Sequence, residues 1–332
     1  MTDLKNINKW FLEQKDPYTL NPLSSSAELE SGSDVSTIYL SYPPLDRADE
    51  LYTSLAKTAP SPIKIAHKVK AKKTQDRNAL KPKTIKNIVP IYSTKGGVGK
   101  STMTHQIARF AAKHGLKVGI LDADIYGPNQ TDLFDHYQGP EVDDGFFIPV
   151  LQHNVHWMSI GILTEDRNAP VIWRGPMASR ALKQMLTQTK WPELDYLFID
   201  LPPGTGDIQL TLMKEIAISS SIIISTPSIL SYKDAAKGVL MMNKLNVSVD
   251  GWIDNMAFLS CPKCDCQINL AQTHAPDSLK AIKTQHQMPL LGPDAQTEEF
   301  EIHLKSFIFN FFLEISKKLD DRSSKIPKII VQ

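Results

Sequence analysis

One run of residues in the chain has the types and spacing that hold phosphate: Ser93-Thr94-Lys95-Gly96-Gly97-Val98-Gly99-Lys100-Ser101-Thr102, set after an apolar segment and opening a helical pattern. Glycines let the backbone turn its N–H groups inward, and the N-terminus of the following helix adds positive potential. Thr94, Lys95, Gly96, Gly97, Val98, Gly99, Lys100, Ser101 and Thr102 are therefore expected to wrap a nucleotide's phosphates. Lys100 would reach the β- and γ-phosphates, and the Ser101 hydroxyl would ligate Mg²⁺. The strict form of this loop has Gly six positions before the second Lys, where this chain has Thr94.

Phosphoryl transfer also needs Mg²⁺ held near the γ-phosphate and a positioned water. In a parallel sheet such groups lie beyond the C-terminal ends of strands. Two apolar runs end in carboxylates, Leu121-Asp122-Ala123-Asp124 and Ile199-Asp200-Leu201-Pro202-Pro203-Gly204-Thr205-Gly206-Asp207. Asp200 is placed to hold Mg²⁺ directly or through water. Asp122 and Asp124 can both face phosphate only if the strand has already ended, and a helix cap or turn is the plainer reading of either one taken singly.

The 3 cysteines all fall in Cys261-Pro262-Lys263-Cys264-Asp265-Cys266. An odd, clustered set is not a disulfide framework. Four readings stand: a structural Zn²⁺ on Cys261, Cys264 and Cys266 with His274 as fourth ligand, a redox pair, inert packing, or part of the four-thiolate set of a [4Fe–4S] cluster.

The elements that must position these groups alternate from Ile88 onward, strand then helix, as in βαβ units on a parallel sheet. Predicted strands are Ile88–Ser93, Lys117–Asp122, Tyr196–Asp200, Ile222–Thr226 and Gly251–Asn255, and predicted helices are Ser101–His114, Ser179–Thr189 and Tyr232–Leu245. Glu141–Leu163 reads as an inserted hairpin. Pro90 lies in what should be a central strand, where it removes a ladder donor. A last helix, Thr297–Leu319, carries Phe300, Leu304, Phe307, Phe311 and Ile315 at helical spacing. It is expected to pack on the sheet, with a membrane-surface helix as the alternative.

Residues 1–85 read as a separate small α/β domain with a basic linker, and 86–332 as the nucleotide domain. Only Gly32 of the 16 glycines precedes Gly96, so the first quarter differs in kind. Within it Thr37–Leu40 and Ile63–Val69 suit strands and Arg47–Thr58 a helix. The run Lys68, Lys70, Lys72, Lys73, Arg77, Lys81, Lys83, Lys86 reads as a solvated strand end and linker, with a polybasic contact surface as the sharper reading. A net charge of +1 over 332 residues gives no global basic field, so nucleic acid is not the expected partner. No run of about 18 apolar residues and no leader pattern is present, so a cytoplasmic protein without stable membrane association is expected.

Taken together, these motifs resemble the deviant Walker A ATPases, the group of MinD, ParA and the nitrogenase iron protein. Within that group the chain is most similar to the Mrp/ApbC iron–sulfur cluster carriers. The narrower likeness rests on Val171-Ile172-Trp173-Arg174-Gly175-Pro176-Met177, on Trp191-Pro192-Glu193-Leu194-Asp195-Tyr196, on the segment from Asp200 to Leu212, on Asn255-Met256 and on the Cys261–Cys264 pair. It spans roughly residues 88 to 293, and residues 1–85 look like a degenerate form of the small domain that precedes the ATPase in bacterial members. The chain departs from the family pattern at Thr94 and Pro90, and it has no glycine in 267–278.

The resemblance implies an α/β fold of the P-loop NTPase, SIMIBI type, with a mostly parallel sheet flanked by helices. It implies a slow ATPase in which Lys95 reaches a partner's nucleotide across a dimer interface and Asp124 positions or activates the attacking water. Lys95, Lys100 and Asp124 would then carry catalysis, Ser101, Asp122 and Asp200 would serve Mg²⁺, and Asn255 would contact the adenine base. Cys261 and Cys264 from each of two protomers would together supply four thiolates to a bridging [4Fe–4S] cluster, delivered to apo-proteins after loading from cluster donors, with Cys266 unassigned. A MinD/ParA-like positioning ATPase and a zinc-stabilised nucleotide-binding scaffold are the rival readings.

Overall fold

Strands buried on both faces read as short continuous apolar runs, and five such runs set between helical patterns lead to a covered parallel sheet. In the computed structural model, residues 2–32, 34–72, 79–163, 175–204, 206–261, 263–264, 266–270, 274–291 and 297–323 are described. The chain divides into two units, Met1–Lys73 with Phe309–Gln332, and Thr74–Ile308. The division falls earlier than the expected one at residue 85, and the smaller unit takes in the end of the last helix.

In the smaller unit, α1 (Thr2–Glu13) and α2 (Leu23–Ser26) precede β1 (Ala27–Glu30), β2 (Ser36–Leu40), α3 (Ala48–Ala56) and β3 (Ile63–His67). β2 lies between the others, antiparallel to β1 and parallel to β3. Its alternate residues Ile38 and Leu40 are buried, as are Leu51 and Leu55 four apart on α3. Buried Asp16 accepts from Ser26 Oγ at 2.6 Å, Tyr42 Oη at 2.9 Å and the Tyr18 N–H at 2.9 Å. Part of the basic run has local partners: Lys70 and Lys68 meet Glu28 at 2.9 and 3.6 Å. Lys73 and Arg77 lie outside the described residues.

The larger unit runs β4 (Ile85–Tyr92), α4 (Lys100–Lys113), β5 (Val118–Asp122), α5 (Gln130–Leu133), β6 (Val142–Asp143), β7 (Phe146–Phe147), β8 (Val150–Gln152), β9 (Val155–Ser159), α6 (Gly175–Thr187), β10 (Leu194–Asp200), α7 (Asp207–Glu215), β11 (Ser221–Ser225), α8 (Ile229–Lys244), β12 (Val249–Ser260), β13 (Gln267–Asn269), α9 (Asp277–Lys280) and β14 (Thr284–Pro289), followed by α10 (Thr297–Ser323). Among the described residues these form a nine-stranded sheet in the order β13-β12-β11-β4-β10-β5-β9-β8, with β14 also paired to β12. Every pairing is parallel except β8–β9 and β12–β13. The sheet of the P-loop NTPase type is therefore the observed fold.

Three local features depart from the sequence reading. The segment expected as a hairpin insert holds two antiparallel pairs, β6 with β7 and β8 with β9, but β9 also joins the main sheet in parallel with β5. The β8–β9 turn uses His153 and Asn154, both at positive φ (51° and 61°), as a two-residue hairpin requires. A His-Asn pair is a weak signal for such a turn, and the pairing of β9 with β5 has no local mark in the sequence. Pro90 is tolerated because the Ile88 N–H points toward the β11 side, onto Ser219 Oγ at 3.4 Å, so the Pro90 nitrogen faces the same way. Strand β11 pairs with β4 only from Ile91 onward, leaving no donor to lose at residue 90.

The five apolar residues expected on the last helix, Phe300, Leu304, Phe307, Phe311 and Ile315, are all buried. Phe307 lies 6.3 Å from the His286 ring of β14, which bears out packing against the sheet for the first half of α10. From Phe309 on, the helix belongs to the smaller unit, where Arg47 stacks over the Phe309 ring at 4.4 Å. This burial leaves those five residues no surface to offer a membrane. No helix among the described residues is long and apolar enough to cross one.

Behind the phosphate loop, His105 of α4 is buried, with its ring 4.4 Å from that of Phe134. Burial, assisted by Arg109, lowers its pKa from 6.5 to about 4. A histidine depressed in the folded state binds its proton first in the unfolded chain, so stability falls as pH drops from about 6.5 toward about 4. Denaturation curves across that window are expected to lose about 3 kcal/mol on account of this residue, and His105→Gln is expected to flatten the slope by that share.

Candidate nucleotide and thiol sites

The loop between β4 and α4 turns on two glycines with left-handed backbone, Gly97 (φ 77°) and Gly99 (φ 84°). Gly99 is held from both directions: a Cβ there would come within 2.4 Å of Asn255 Nδ2, which itself donates to the Val98 carbonyl at 2.9 Å. Ser93 Oγ donates to the Lys95 carbonyl at 2.9 Å and closes the start of the loop. Thr94, at a place the family pattern gives to Gly, lies beside α8, where the close approach of Gly238 is to Tyr92. A Cβ at Gly238 would meet Tyr92 at 2.7 Å and the Thr94 methyl at 3.5 Å. The segment after β10 is tied to the same loop, with the Gly204 N–H on the Ser93 carbonyl at 3.1 Å and Tyr92 Oη on the Gly204 carbonyl at 2.6 Å.

These contacts surround a cavity of ≈ 560 Å³ beside the helix N-terminus. Lys95, Gly96, Gly97, Gly99, Lys100, Ser101 and Thr102 line it, joined by Asp124, Asn129 and Met256. Lys100, buried, bonds Asp200 Oδ1 at 2.5 Å and lies 3.4 Å from both Asp124 Oδ2 and Ser101 Oγ. Burial works against its charge, but Asp200 and then Asp124 outweigh burial and hold the ammonium above its ordinary pKa. Asp122 sits deeper. It accepts from Ser159 Oγ (2.9 Å), the Gln130 N–H (3.1 Å) and the Asp124 N–H (3.2 Å), and it does not line the cavity. Burial, with Asp200 close by, pushes it up to about 8 despite those donors. Burial raises Asp124 as well, against the pull of Lys100, and its Oδ1 is buried without a hydrogen-bond partner.

Lys95 and Asn255 both have partners close to the loop. Lys95, 37% exposed at the cavity rim, meets Asp234 of α8 at 3.6 Å. Asn255 is buried with its amide nitrogen on Val98, and its neighbour Met256, at φ 59°, reaches the cavity instead.

Sequence reasoning missed Gln130. Its Nε2 bridges the Ser101 carbonyl (3.0 Å) and Asp200 Oδ2 (3.1 Å), while its backbone N–H serves Asp122. One signal was available: Gln130 opens a short helix six residues past Asp124, where a strand-end loop returns to the phosphates.

The cysteines sit at the tip of a hairpin. β12 and β13 pair antiparallel from Phe258↔Asn269 to Ser260↔Gln267, and the Cys261 N–H donates to the Cys266 carbonyl at 2.9 Å, one step further. The Sγ atoms of Cys261, Cys264 and Cys266 all lie within 4.8 Å of one another, with Cys264 and Cys266 at 3.2 Å. Cys261 is half-buried and the other two are exposed. Backbone donation from Lys263 lowers the Cys261 thiol, and hydrogen bonding to Cys264 raises that of Cys266. Cys266, unassigned from sequence, thus stands with the expected pair, whereas His274 is outside the group. Pro262, Asp265, Thr205 and residues 171–174 of the family motif lie outside the described residues.

Comparison with known proteins places this geometry. A family model described as "ParA: NUBPL iron-transfer P-loop NTPase" matches residues 84–301. An iron-sulfur cluster carrier protein of Pseudomonas fragi is 51% identical over 183 residues, 54% of this chain and 63% of that protein. Its namesake in Escherichia coli K12 is 48% identical over 182 residues, covering 54% of this chain and 49% of the other. The chain thus spans about half to three-fifths of the length of these relatives. Among solved structures, a nucleotide-binding protein of Archaeoglobus fulgidus in complex with ADP aligns with a TM-score of 0.54 at 30% identity, over 72% of this chain and 89% of that one. The phosphate loop, its carboxylates and the matched span agree: the chain belongs to the ParA/NUBPL iron-transfer family of P-loop NTPases.

Proposed function

We propose that the chain is an ATP-binding and slowly hydrolysing iron–sulfur cluster carrier of the cytoplasm. It holds a [4Fe–4S] cluster at a homodimer interface on Cys261 and Cys264 of each protomer and passes it from cluster donors to apo-proteins. One observation carries this reading. A single strand, β12, sends Asn255 onto the phosphate loop and ends one residue before Cys261, so six residues of backbone, 255–260, join the loop contact to the thiols. That stretch is irregular: the β12–β14 register shifts between Asp254 and Phe258, and Met256 has positive φ. A change at the phosphate loop therefore has a short covalent route to the thiols.

The residues around Lys100 fit Mg²⁺ as the nucleotide's counter-ion. One ammonium faces the carboxylates of Asp122, Asp124 and Asp200, and the unpartnered Asp124 Oδ1 is a buried oxygen ready for a donor or a cation. Ser101 and Asp200 would hold the ion, with Asp122 fixing the carboxylate frame from below. Mg²⁺ held there would supply charge neutralisation to the nucleotide's phosphates. Lys100 exchanges its carboxylate partners for phosphate oxygens, and Gln130 keeps Asp200 oriented through the exchange. Asp124 orients the attacking water and takes its proton, a role that its burial-raised pKa favours. Lys95, half-buried at the cavity rim and paired at 3.6 Å with Asp234, would reach a partner protomer's nucleotide by leaving that pair.

Asp124→Asn is expected to retain ATP binding while slowing phosphate release by about 10²–10⁴-fold, measured by equilibrium binding beside steady-state turnover. Equal turnover in the two proteins would remove Asp124 from the reaction. For the cargo, anaerobic reconstitution with iron and sulfide is expected to load about four irons per dimer in the wild type and almost none in Cys261→Ala/Cys264→Ala. Equal loading of both proteins would overturn the cluster assignment.

A further inference from the structure

The carrier reading uses two cysteines per protomer, yet three thiols converge. The hairpin explains why. Cys261 and Cys266 stand opposite each other as the next pair beyond Ser260↔Gln267, tied by the Cys261 N–H on the Cys266 carbonyl at 2.9 Å. The turn between them brings Cys264 back, with its sulfur 3.2 Å from that of Cys266. All three ligand atoms lie within 4.8 Å of one another. A tetrahedral ion with metal–sulfur bonds of about 2.3 Å places its ligand sulfurs about 3.8 Å apart, a spacing inside the observed range. Among the described residues no histidine or carboxylate joins the group.

We propose that Cys261, Cys264 and Cys266 form a complete three-thiolate site within one protomer, binding a single thiophilic divalent cation of the Zn²⁺ class without sulfide and without a second chain. Cys266 is then a ligand in its own right. The geometry suits an ion rather than a packed core, because Cys264 and Cys266 are exposed at a hairpin tip and bury nothing. Each thiol gives up its proton to solvent as the ion binds, so uptake releases protons and weakens as pH falls. The site goes beyond the carrier reading and shares two of its ligands, so ion and cluster compete for the hairpin.

The test is an anaerobic titration of the reduced, metal-free full chain with Co²⁺, followed by displacement with Zn²⁺. Thiolate-to-cobalt charge-transfer absorption is expected to saturate at one ion per chain, at protein concentrations on either side of dimer formation. Cys266→Ser, and independently Cys266→Ala, are expected to remove about a third of that absorption and weaken binding at least about tenfold. An end point of half an ion per chain, no cobalt uptake, or Cys266 variants that match the wild type in both absorption and affinity would overturn the proposal. Iron-and-sulfide loading of the same proteins separates the two readings. Cobalt uptake that depends on Cys266, in a protein that takes up no iron and sulfide, would uphold this site while the carrier reading fails. Cluster loading with cobalt binding indifferent to Cys266 would do the reverse.

Discussion

A buried lysine set against three carboxylates organises the larger unit. Lys100 Nζ lies 2.5 Å from Asp200 and 3.4 Å from Asp124, and Asp122 stands behind them on three donors. A buried charge left without a partner is costly, so none of these groups can be removed or moved alone. The constraint reaches outward from there. Asp200 must end β10 and Asp122 must end β5, and the two strands must be neighbours in register, as Asp200↔Asp122 pairing provides. The loop that delivers Lys100 must then turn on Gly97 and Gly99, and Gln130 must return from the next segment to hold Asp200.

The second level of organisation lies along β12 and α8. Asp254 accepts from Ser225 Oγ at 2.9 Å and Tyr232 Oη at 2.6 Å, and Trp252 Nε1 donates to Ser225 Oγ at 2.8 Å. These bonds join β12 to β11 and α8 immediately before Asn255 turns onto the phosphate loop. The same helix presents Asp234 to Lys95 and packs Gly238 against Tyr92 and Thr94. Two contacts from α8 and one from β12 therefore reach the loop, and β12 runs on to the hairpin that bears the cysteines. This is the physical content of the proposed coupling: an irregular strand with a contact to the phosphate loop at one end and three clustered thiols at the other.

Much of this was legible in the residues. The phosphate loop, the strand-end carboxylates and the alternation of strands with helices each have a local physical cause, and the parallel sheet carries them where expected. What was not legible depended on distant partners. Gln130 has no sequence mark beyond its place after Asp124, because its importance comes from Ser101 and Asp200. The place of β9 beside β5 depends on a distant partner, and β14 is masked by polar residues on a strand that pairs beside β12. Pro90 looked like an objection until the facing of its nitrogen was known. Cys266 looked spare because counting ligands toward a four-thiolate cluster ignores what a hairpin register brings together.

The central claim is that nucleotide at Lys100 is felt at Cys261 and Cys264 through β12. It is tested most directly by the rate of thiol alkylation in the reduced, metal-free protein, read at each cysteine by mass spectrometry, with and without saturating Mg²⁺–ATP. The account predicts a nucleotide-dependent change in rate at Cys261 and Cys264 that Asn255→Ala abolishes while ATP still binds. Identical rates with and without bound nucleotide would contradict it.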